Sequence, residues 1–197
     1  MDDVQALLDG RVFRPPAGIV LRRGDFGLGL YVTRRFAAGE ILYTSDWFTV
    51  PDDDRTLHAC VDVDGCLEDM KITRRHSVRS LGARMLDIPG CFMNHSCEPT
   101  SCSMDVVGEV DDEPTRYHQV ALVDLEPGDQ ITCDYLLFDW DCDGHRFTCA
   151  CGSERCHGEI HGFGSLPREV QEQLSNDITW DVRRQWESTR LAADRPA

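Results

Sequence analysis

Three cysteines that lie within eight residues, Cys149, Cys151 and Cys156, are the clearest candidates for chemistry in this chain. Thiolates are favoured zinc ligands, and a tetrahedral zinc site takes four ligands, so a fourth must come from elsewhere in the chain. The nearby candidates are Cys142, His145, His157 and His161. Because four thiolate ligands leave no position open for water or substrate, a site of that kind would be structural and would do no chemistry itself.

Three other runs are informative as a set rather than singly. The run from Phe92 to Pro99 reads Phe-Met-Asn-His-Ser-Cys-Glu-Pro, and the run that ends at Tyr135 reads Glu-Pro-Gly-Asp-Gln-Ile-Thr-Cys-Asp-Tyr. The run from Gly24 to Tyr31 is rich in glycine and precedes a strand pattern, but it lacks the full dinucleotide-binding pattern with a following helix. Taken singly, each run is typical of a turn or of a packing residue.

In this order and spacing, the runs and the cysteine cluster resemble the SET-domain protein lysine methyltransferases that carry a zinc-binding post-SET tail. The resemblance extends from about Val20 to Phe163. It implies S-adenosyl-L-methionine as the cofactor and the side-chain amine of a protein lysine as the methyl acceptor. The protein substrate would present this lysine in a basic histone-like tail or in a non-histone protein.

The resemblance also implies roles for individual residues. The cofactor would be contacted by the glycine-rich loop and the Asn-His pair, that is, by Phe26, Gly27, Leu28, Gly29, Asn94 and His95. The zinc ligands would be three tail cysteines and one from the Asn-His-Ser-Cys run, that is, Cys97, Cys149, Cys151 and Cys156. Tyr135 would be the catalytic tyrosine, and Cys133 and Tyr31 would line the substrate channel. An aromatic residue of the tail, Phe147 or Phe163, would cover the adenine, and we choose Phe163.

The sequence departs from the family pattern most clearly at Cys133. The family usually has an aromatic residue there, two positions before the catalytic tyrosine, which lines the lysine channel and helps to limit the number of methyl groups added. Because cysteine is smaller, three alternatives stay open: a wider channel, higher methylation states, or an acceptor other than lysine. Two lesser departures are Cys91 in place of an arginine and Thr100 in place of an asparagine.

Two further functions stay open beside protein lysine methylation. The same fold can act on a small molecule, because function is sited on folds rather than fixed by them. Alternatively, a non-catalytic cofactor-binding module would use the acidic surface and a C-terminal helix to bind a partner. Such a module has no physical need for Asn94, His95 and Tyr135 together.

Composition narrows the class of protein. The chain has 197 residues, enough for one domain with appendages, and no stretch approaches the roughly 20 apolar residues of a membrane helix. A net charge of −15 argues against nonspecific binding of nucleic acid and suits a basic partner. The acidic start lacks a signal-peptide pattern. We therefore expect an intracellular protein, cytoplasmic or nuclear, without membrane or direct nucleic-acid binding. The sequence indicates no oligomeric state.

The patterns along the chain predict a mostly β fold with some helix. The resemblance specifies a SET-domain β-fold of small sheets with a threaded C-terminal segment, a zinc-bound post-SET loop and a C-terminal helical extension. We place an N-terminal extension at residues 1–18, the SET domain at 19–140, the post-SET segment at 141–163 and the helical extension at 164–197.

Individual elements are predicted from periodicity and breaker residues. The expected strands cover residues 19–22, 28–33, 41–44, 117–125 and 131–137. Short helices are expected over residues 1–10 and 71–84, and an acidic hairpin tip or loop over 108–115. Apolar residues every four positions from Val170 to Trp186 predict a packing helix that is interrupted near residues 175–177. Five scattered cysteines are expected to be small buried hydrophobic residues: Cys60, Cys66, Cys91, Cys102 and Cys133.

Overall fold

The structure is a computed structural model that describes residues 4–45, 47–80, 83–107 and 114–193. Short strands dominate these residues and form five small sheets. This confirms the predicted fold class, a mostly β fold of small sheets with a helical C-terminal part. No helix within these ranges is long and apolar enough to span a membrane.

The central sheet brings together the three runs that the sequence marks as a set. Its strands, in spatial order, are β10 (Asn94–His95), β13 (Gln130–Cys133), β3 (Gly27–Val32) and β2 (Ile19–Gly24). β10 runs parallel to β13, in a register that sets Asn94 beside Thr132 and His95 beside Cys133. Leu30 of β3 is fully buried in the main core, so this sheet is a rigid support for the side chains around it.

Four smaller sheets surround the central one. The first contains β1 (Val12–Phe13), β6 (Leu57–Val63) and β7 (Cys66–Ile72), and the second contains β5 (Trp47–Val50), β9 (Ala83–Asp87) and β8 (Val78–Ser80). The third contains β11 (Ser101–Val107), β12 (Pro114–Ala121) and β4 (Ile41–Thr44), and the fourth pairs β14 (Phe147–Thr148) with β15 (Glu159–Ile160). Most strands of the first two sheets lie between residues 45 and 89, a segment that we call the insert.

The β6–β7 hairpin shows why the insert folds as sheet. Apolar and polar residues alternate along β6, so Leu57, Val61 and Val63 are buried on one face. The connecting turn consists of Asp64 and Gly65, with φ angles of 52° and 81°. An Asp-Gly pair suits this turn because both of its positions need a positive φ.

The α-helices of the described residues are short, apart from the last. They are α1 (Val4–Leu8), α2 (Tyr135–Phe138), α3 (Arg168–Leu174) and α4 (Trp180–Ala193). The predicted C-terminal stripe and its interruption are confirmed, since residues 175–179 separate α3 from α4. Ile178, Val182 and Trp186 are buried against Phe163 and form a second small core.

Several local predictions are wrong. Residues 71–84 form no α-helix in their described part, which contains the end of β7, a 3₁₀ turn, β8 and the start of β9. The strand predicted over 131–137 ends at Cys133, because the Asp134 side chain accepts a hydrogen bond from Leu136 N at 3.0 Å and so begins α2. β12 occupies residues 114–121 rather than 117–125. The tip predicted over 108–115 lies mostly outside the described residues.

The scattered cysteines differ in burial, contrary to the expectation for them. Cys133 is buried as predicted, Cys60, Cys91 and Cys102 are half-buried, and Cys66 is exposed beside the β6–β7 turn. Cys66 follows the turn directly, and no neighbouring layer of the described structure covers it there. Its thiol is therefore exposed although it is apolar.

A buried arginine ties the insert to the segment that follows α2. The Arg84 guanidinium is 1% exposed and donates to Asp52 Oδ1 at 3.0 Å, to Ser77 Oγ at 3.1 Å and to Asp143 Oδ1 at 2.7 Å. Arg74 forms a second ion pair with Asp143. These two arginines lower the pKa of Asp143 to about 2, chiefly through the hydrogen bond from Arg74.

Candidate active site and metal centre

The four cysteines implied as zinc ligands lie together. The sulfur atoms of Cys97, Cys149, Cys151 and Cys156 are all within 4.8 Å of one another. The Cys97 and Cys149 sulfurs are 3.8 Å apart, which is too long for a disulfide and matches the separation of about 3.8 Å that Zn–S bonds near 2.3 Å give in a tetrahedron. The donor set therefore fits a structural zinc ion.

Burial raises the pKa of the Cys97 and Cys149 thiols, whereas backbone N–H groups around the cluster favour the thiolate form. The backbone N–H of His157 points at Cys97 Sγ at 3.4 Å, and that of Gly158 points at Cys156 Sγ at 3.4 Å. A hydrogen bond from the backbone of Cys97, together with one from Ser153, lowers the pKa of the Cys151 thiol to about 6. Since a metal takes the deprotonated ligand, these donors favour metal binding. Among the described residues the four-cysteine group contains none of Cys142, His145, His157 and His161 as a ligand.

The glycine-rich loop and the Asn-His pair form one continuous surface. Asn94 Nδ2 donates to the backbone carbonyl of Leu28 at 3.0 Å, so β10 holds the loop in place. A Cβ at Gly29 would lie 2.9 Å from Asn94 Nδ2 and 2.5 Å from Gln130 Nε2, so this close approach requires glycine. Phe26, at the loop tip, is 62% exposed.

His95 links the cysteine cluster to Tyr135. Its Nδ1 accepts a hydrogen bond from the backbone N–H of Tyr135 at 3.2 Å, which assigns the ring proton to Nε2. Nε2 lies 3.3 Å from Cys97 Sγ. Burial, with a smaller effect of the nearby His157, lowers the pKa of His95 to about 4, so the ring is neutral near pH 7.

Tyr135 is fixed at both its backbone and its hydroxyl. It is the first residue of α2, and its Oη donates to the backbone carbonyl of Met93 at 2.7 Å. Burial raises the pKa of Tyr135, so the hydroxyl stays protonated at neutral pH. Because the proton is engaged by Met93, the hydroxyl oxygen is left to accept a hydrogen bond from another group.

A cavity of about 280 Å³, which we call the acceptor cavity, opens beside Tyr135. Its more buried end is lined by small, apolar and phenolic residues and one carboxylate, namely Asp87, Gly90, Cys91, Met93, Tyr117, Cys133 and Tyr135. Its exposed end carries charges of both signs from the insert, the segment after α2 and the start of α4, including Arg75, Arg79, Arg146 and Asp181. The cavity is thus suited to a long side chain whose polar end reaches Tyr135.

The structure separates the residues predicted for the site into two groups. Asn94, His95 and Tyr135 come together at the junction of β10 and α2, and Cys133 lines the acceptor cavity. Tyr31 does not line that cavity: its ring lies against the Arg22 guanidinium, 4.1 Å from ring centroid to Arg22 Cζ.

The two aromatic candidates for covering the adenine also separate. Phe163 is fully buried between Trp140 and Trp186 in the second core. Phe147 is 39% exposed and lies edge-on to His95 and Tyr135, with centroid separations of 5.7 and 6.0 Å. Phe147 is therefore the tail aromatic at the site, and Phe163 holds the C-terminal helices.

Sequence reasoning missed two polar residues that line the cavity, one in the insert and one on β12. Asp87 and its hydrogen-bond partner Tyr117 line the cavity, from β9 and β12 respectively. Neither belongs to a recognisable motif. The position of Asp87, five residues before Phe92 and at the end of an alternating apolar run, was the one local signal available.

Comparison with known proteins agrees with this geometry. The family described as SET domain matches residues 27–136. The chain is 33% identical over 120 residues to the Homo sapiens protein named histone-lysine N-methyltransferase EHMT1, a match that covers 59% of this chain and 9% of that protein. It is 31% identical over 108 residues to the Arabidopsis thaliana protein named histone-lysine N-methyltransferase ASHR3, covering 53% of this chain and 19% of that protein.

A crystal structure of a Plasmodium falciparum protein, described as a candidate histone methyltransferase, has a TM-score of 0.43 and 13% identity. That likeness covers 61% of this chain and 94% of the other. The chain spans less than a fifth of the length of the two curated relatives above. Because the family match covers more than half of the residues, this chain belongs to the SET domain family.

Proposed function

We propose that this chain is an S-adenosylmethionine-dependent methyltransferase that modifies a lysine side chain of a protein. Membership of the SET domain family supports the proposal, as do relatives named histone-lysine N-methyltransferases. The observation that carries it is the position of Tyr135, whose hydroxyl is held by Met93 O where the Asn94-His95 strand meets the acceptor cavity.

The cofactor would supply a methyl group bound to a positively charged sulfur. Residues 26–29 and the Asn94-His95 pair would hold it, and Phe147 takes the role of the aromatic cover that the sequence assigned to Phe163. The neutral His95 ring adds no positive charge beside the sulfonium. The aromatic faces of Tyr135 and Phe147 favour a cation nearby.

One zinc ion would be held by Cys97, Cys149, Cys151 and Cys156. It would fix the tail against β10 and leave the chemistry to the side chains, since four thiolates fill its coordination. His95 lies between this cluster and Tyr135, so the metal would position the tyrosine indirectly.

The acceptor lysine would enter from the exposed end of the cavity and reach Tyr135. A free lysine has a pKa of about 10.4, so about one amine in a thousand is neutral at pH 7, and burial beside apolar residues raises that fraction. The Tyr135 hydroxyl oxygen accepts a hydrogen bond from the amine and aims the nitrogen lone pair at the methyl carbon. Alignment of nitrogen, carbon and sulfur then supplies much of the rate.

We assign the segments accordingly: residues 19–140 form the methyltransferase domain, 141–163 the zinc-binding tail and 164–197 a helical extension, after an N-terminal extension at 1–18. A net charge of −15 favours a basic segment as the protein substrate. We propose that the chain acts inside the cell, in the cytoplasm or nucleus, without binding nucleic acid directly.

The test is transfer of isotope-labelled methyl from S-adenosylmethionine into a cell extract that contains both proteins and metabolites. We expect labelled protein bands, and about 100-fold less label with Tyr135→Phe, because one positioned hydroxyl is worth about that factor. Ser175→Ala, which removes a hydroxyl at the end of α3, is the control and should keep the wild-type rate, since Ser175 lies outside the cavity. Label confined to metabolites, or an equal rate with Tyr135→Phe, would contradict the proposal.

A further inference from the structure

We propose that Asp87 is a catalytic base of this chain, and that its carboxylate takes the proton that the acceptor ammonium must lose before methyl transfer. This rests on the proposed function and adds to it a residue outside the motifs that identify the family. Asp87 ends β9, lines the acceptor cavity, and is joined to the Tyr135 site by a single turn.

That turn sets the distance between the carboxylate and the catalytic tyrosine. Asp87 Oδ2 lies so close to Gly90 that a Cβ built there would be 2.0 Å from it. The Gly90 carbonyl accepts a hydrogen bond from Met93 N at 2.9 Å, and the Met93 carbonyl accepts one from Tyr135 Oη at 2.7 Å. Residues 90–93 therefore contact both Asp87 and Tyr135, and both side chains line the acceptor cavity.

Two phenols lie beside the carboxylate. Tyr117 Oη donates to Asp87 Oδ2 at 2.5 Å, which stabilises a negative charge there. Tyr43 Oη is buried and would lie 2.7 Å from the Cβ built at Gly90, so it faces the same wall and lies beside Tyr117.

Four titratable groups around this wall stay neutral. They are Tyr43 on β4, Tyr117 on β12, Cys91 in the 90–93 turn and Cys133 on β13, and burial raises the pKa of each. Trp47 of β5, which pairs with Asp87 across the sheet, has no group that titrates near neutral pH. Among these side chains the Asp87 carboxylate is the one that can accept a proton.

The small residues around Asp87 leave room for the acceptor nitrogen to approach it. Cys133 stands where the family usually has an aromatic ring, and Gly90 and Cys91 complete the buried end of the cavity. With a bulky ring at position 133 the nitrogen would be confined to the Tyr135 side. Cys133 and Asp87 therefore act together: the small side chain of Cys133 leaves the space through which the nitrogen approaches the Asp87 carboxylate.

Proton transfer to Asp87 precedes methyl transfer to the nitrogen. One N–H bond of the ammonium breaks, its proton moves to the Asp87 carboxylate, and the electron pair stays on the nitrogen. That pair forms the new N–C bond while the C–S bond of the methyl-sulfonium donor breaks and leaves its pair on sulfur. The Asp87 carboxyl then releases the proton to water at the open end of the cavity.

Asp87→Asn keeps the shape of the side chain and removes the base. We expect labelled-protein formation at pH 7 to fall about 100-fold, the lower range for a general base, while the affinity for S-adenosylmethionine measured by calorimetry is unchanged. As pH rises towards 10 the variant should gain about tenfold in rate per unit on its own, because the amine then loses its proton to solvent. The wild type should level off at lower pH.

A pH profile of Asp87→Asn parallel to that of the wild type would overturn the inference and leave methyl transfer itself standing. A wild type without activity would instead refute the proposed function. Asp177→Asn, which removes an exposed carboxylate on the loop between α3 and α4, is the control and should keep the wild-type profile.

If Asp87→Asn does not fold, Tyr117→Phe tests whether Asp87 is the base. This variant removes one hydroxyl and keeps the carboxylate, which then holds its negative charge less well. We expect the acidic limb of the pH–rate profile to move to higher pH. An unmoved acidic limb in a folded Tyr117→Phe would contradict a role for Asp87 as the base.

Discussion

The two walls of the site are built in different ways. The tail wall, which we define as residues 94–97 and 134–157, is assembled from short runs whose spacing is dictated by ligands and caps. The insert wall, residues 45–89 with the turn at 90–93, is assembled by pairing strands such as β5, β8 and β9 that no ligand fixes. In the proposed function the first wall carries the residues that define the chemistry, and the second shapes the cavity for the acceptor.

This difference explains which mutations should be severe and what each should affect. Changes in the tail wall should act on metal and cofactor binding, because we propose that its residues hold both. Changes in the insert wall act on stability and on the acceptor, because its residues are held by strand pairing and by the Arg84 ion pairs.

The largest effect is expected from Cys149→Ser. A structural zinc site is worth about 10 kcal/mol or more, and serine is a poor replacement for a thiolate ligand. The purified variant should therefore contain no zinc by elemental analysis, and its affinity for S-adenosylmethionine should fall at least tenfold as the tail loosens. Cys66→Ser is the control, since Cys66 is exposed and lies outside the cluster, and it should retain one zinc per chain.

Phe163→Ala and Phe147→Ala test the separation of the second core from the cofactor site. Phe163 is fully buried, so its truncation should lower the free energy of unfolding by about 3 to 4 kcal/mol in a denaturant titration. Phe147→Ala should leave stability nearly unchanged and weaken cofactor binding. If Phe163→Ala weakened cofactor binding and Phe147→Ala lowered stability, Phe163 would be the residue that covers the adenine.

The motifs of the tail wall could be predicted from the sequence, whereas the contacts of the insert wall could not. The Cys149-x-Cys151 and Asn94-His95 runs are local, so their partners could be predicted by family resemblance. Asp87, Tyr117 and Tyr43 meet through pairing of distant strands, and no local pattern marks that contact. The Asp64-Gly65 turn was readable as a hairpin signal but was missed.

Two differences between sequence and structure have physical reasons of their own. Apolar neighbours predict a strand at Tyr135, yet the Asp134 cap begins a helix there. The sequence offers Phe163 as the adenine cover, but Trp140 and Trp186 bury its ring, so we propose Phe147 for that role.

Arg84→Met tests the link between the two walls. The substitution removes a buried cation and leaves Asp143 without one of its two arginines, which should lower the free energy of unfolding by about 3 kcal/mol. Arg55→Met, which removes an exposed arginine paired with Asp53, should change it by less than about 1 kcal/mol. Equal losses for the two variants would mean that the Arg84 network does not join the walls.

Gly29→Ala should have the smallest effect of the series. The added methyl group would lie 2.5 Å from Gln130 Nε2 and 2.9 Å from Asn94 Nδ2, so both side-chain amides must move to admit it. We expect a tenfold loss of cofactor affinity, about 1.4 kcal/mol, with little change in thermal unfolding. The control is Ala38→Gly, which alters an exposed turn away from the site and should leave the affinity unchanged. Gly39→Ala would be a poor control, because the φ of Gly39 is 84° and alanine would be strained there.

The most direct test of the account is to locate the transferred methyl group within the acceptor. Labelled proteins from the transfer reaction would be digested and sequenced by tandem mass spectrometry, with Tyr135→Phe reactions as the background. The account predicts the label on the side-chain nitrogen of lysine. Label on arginine, on a carboxylate or on a small molecule would contradict it, even if transfer is rapid and depends on Tyr135.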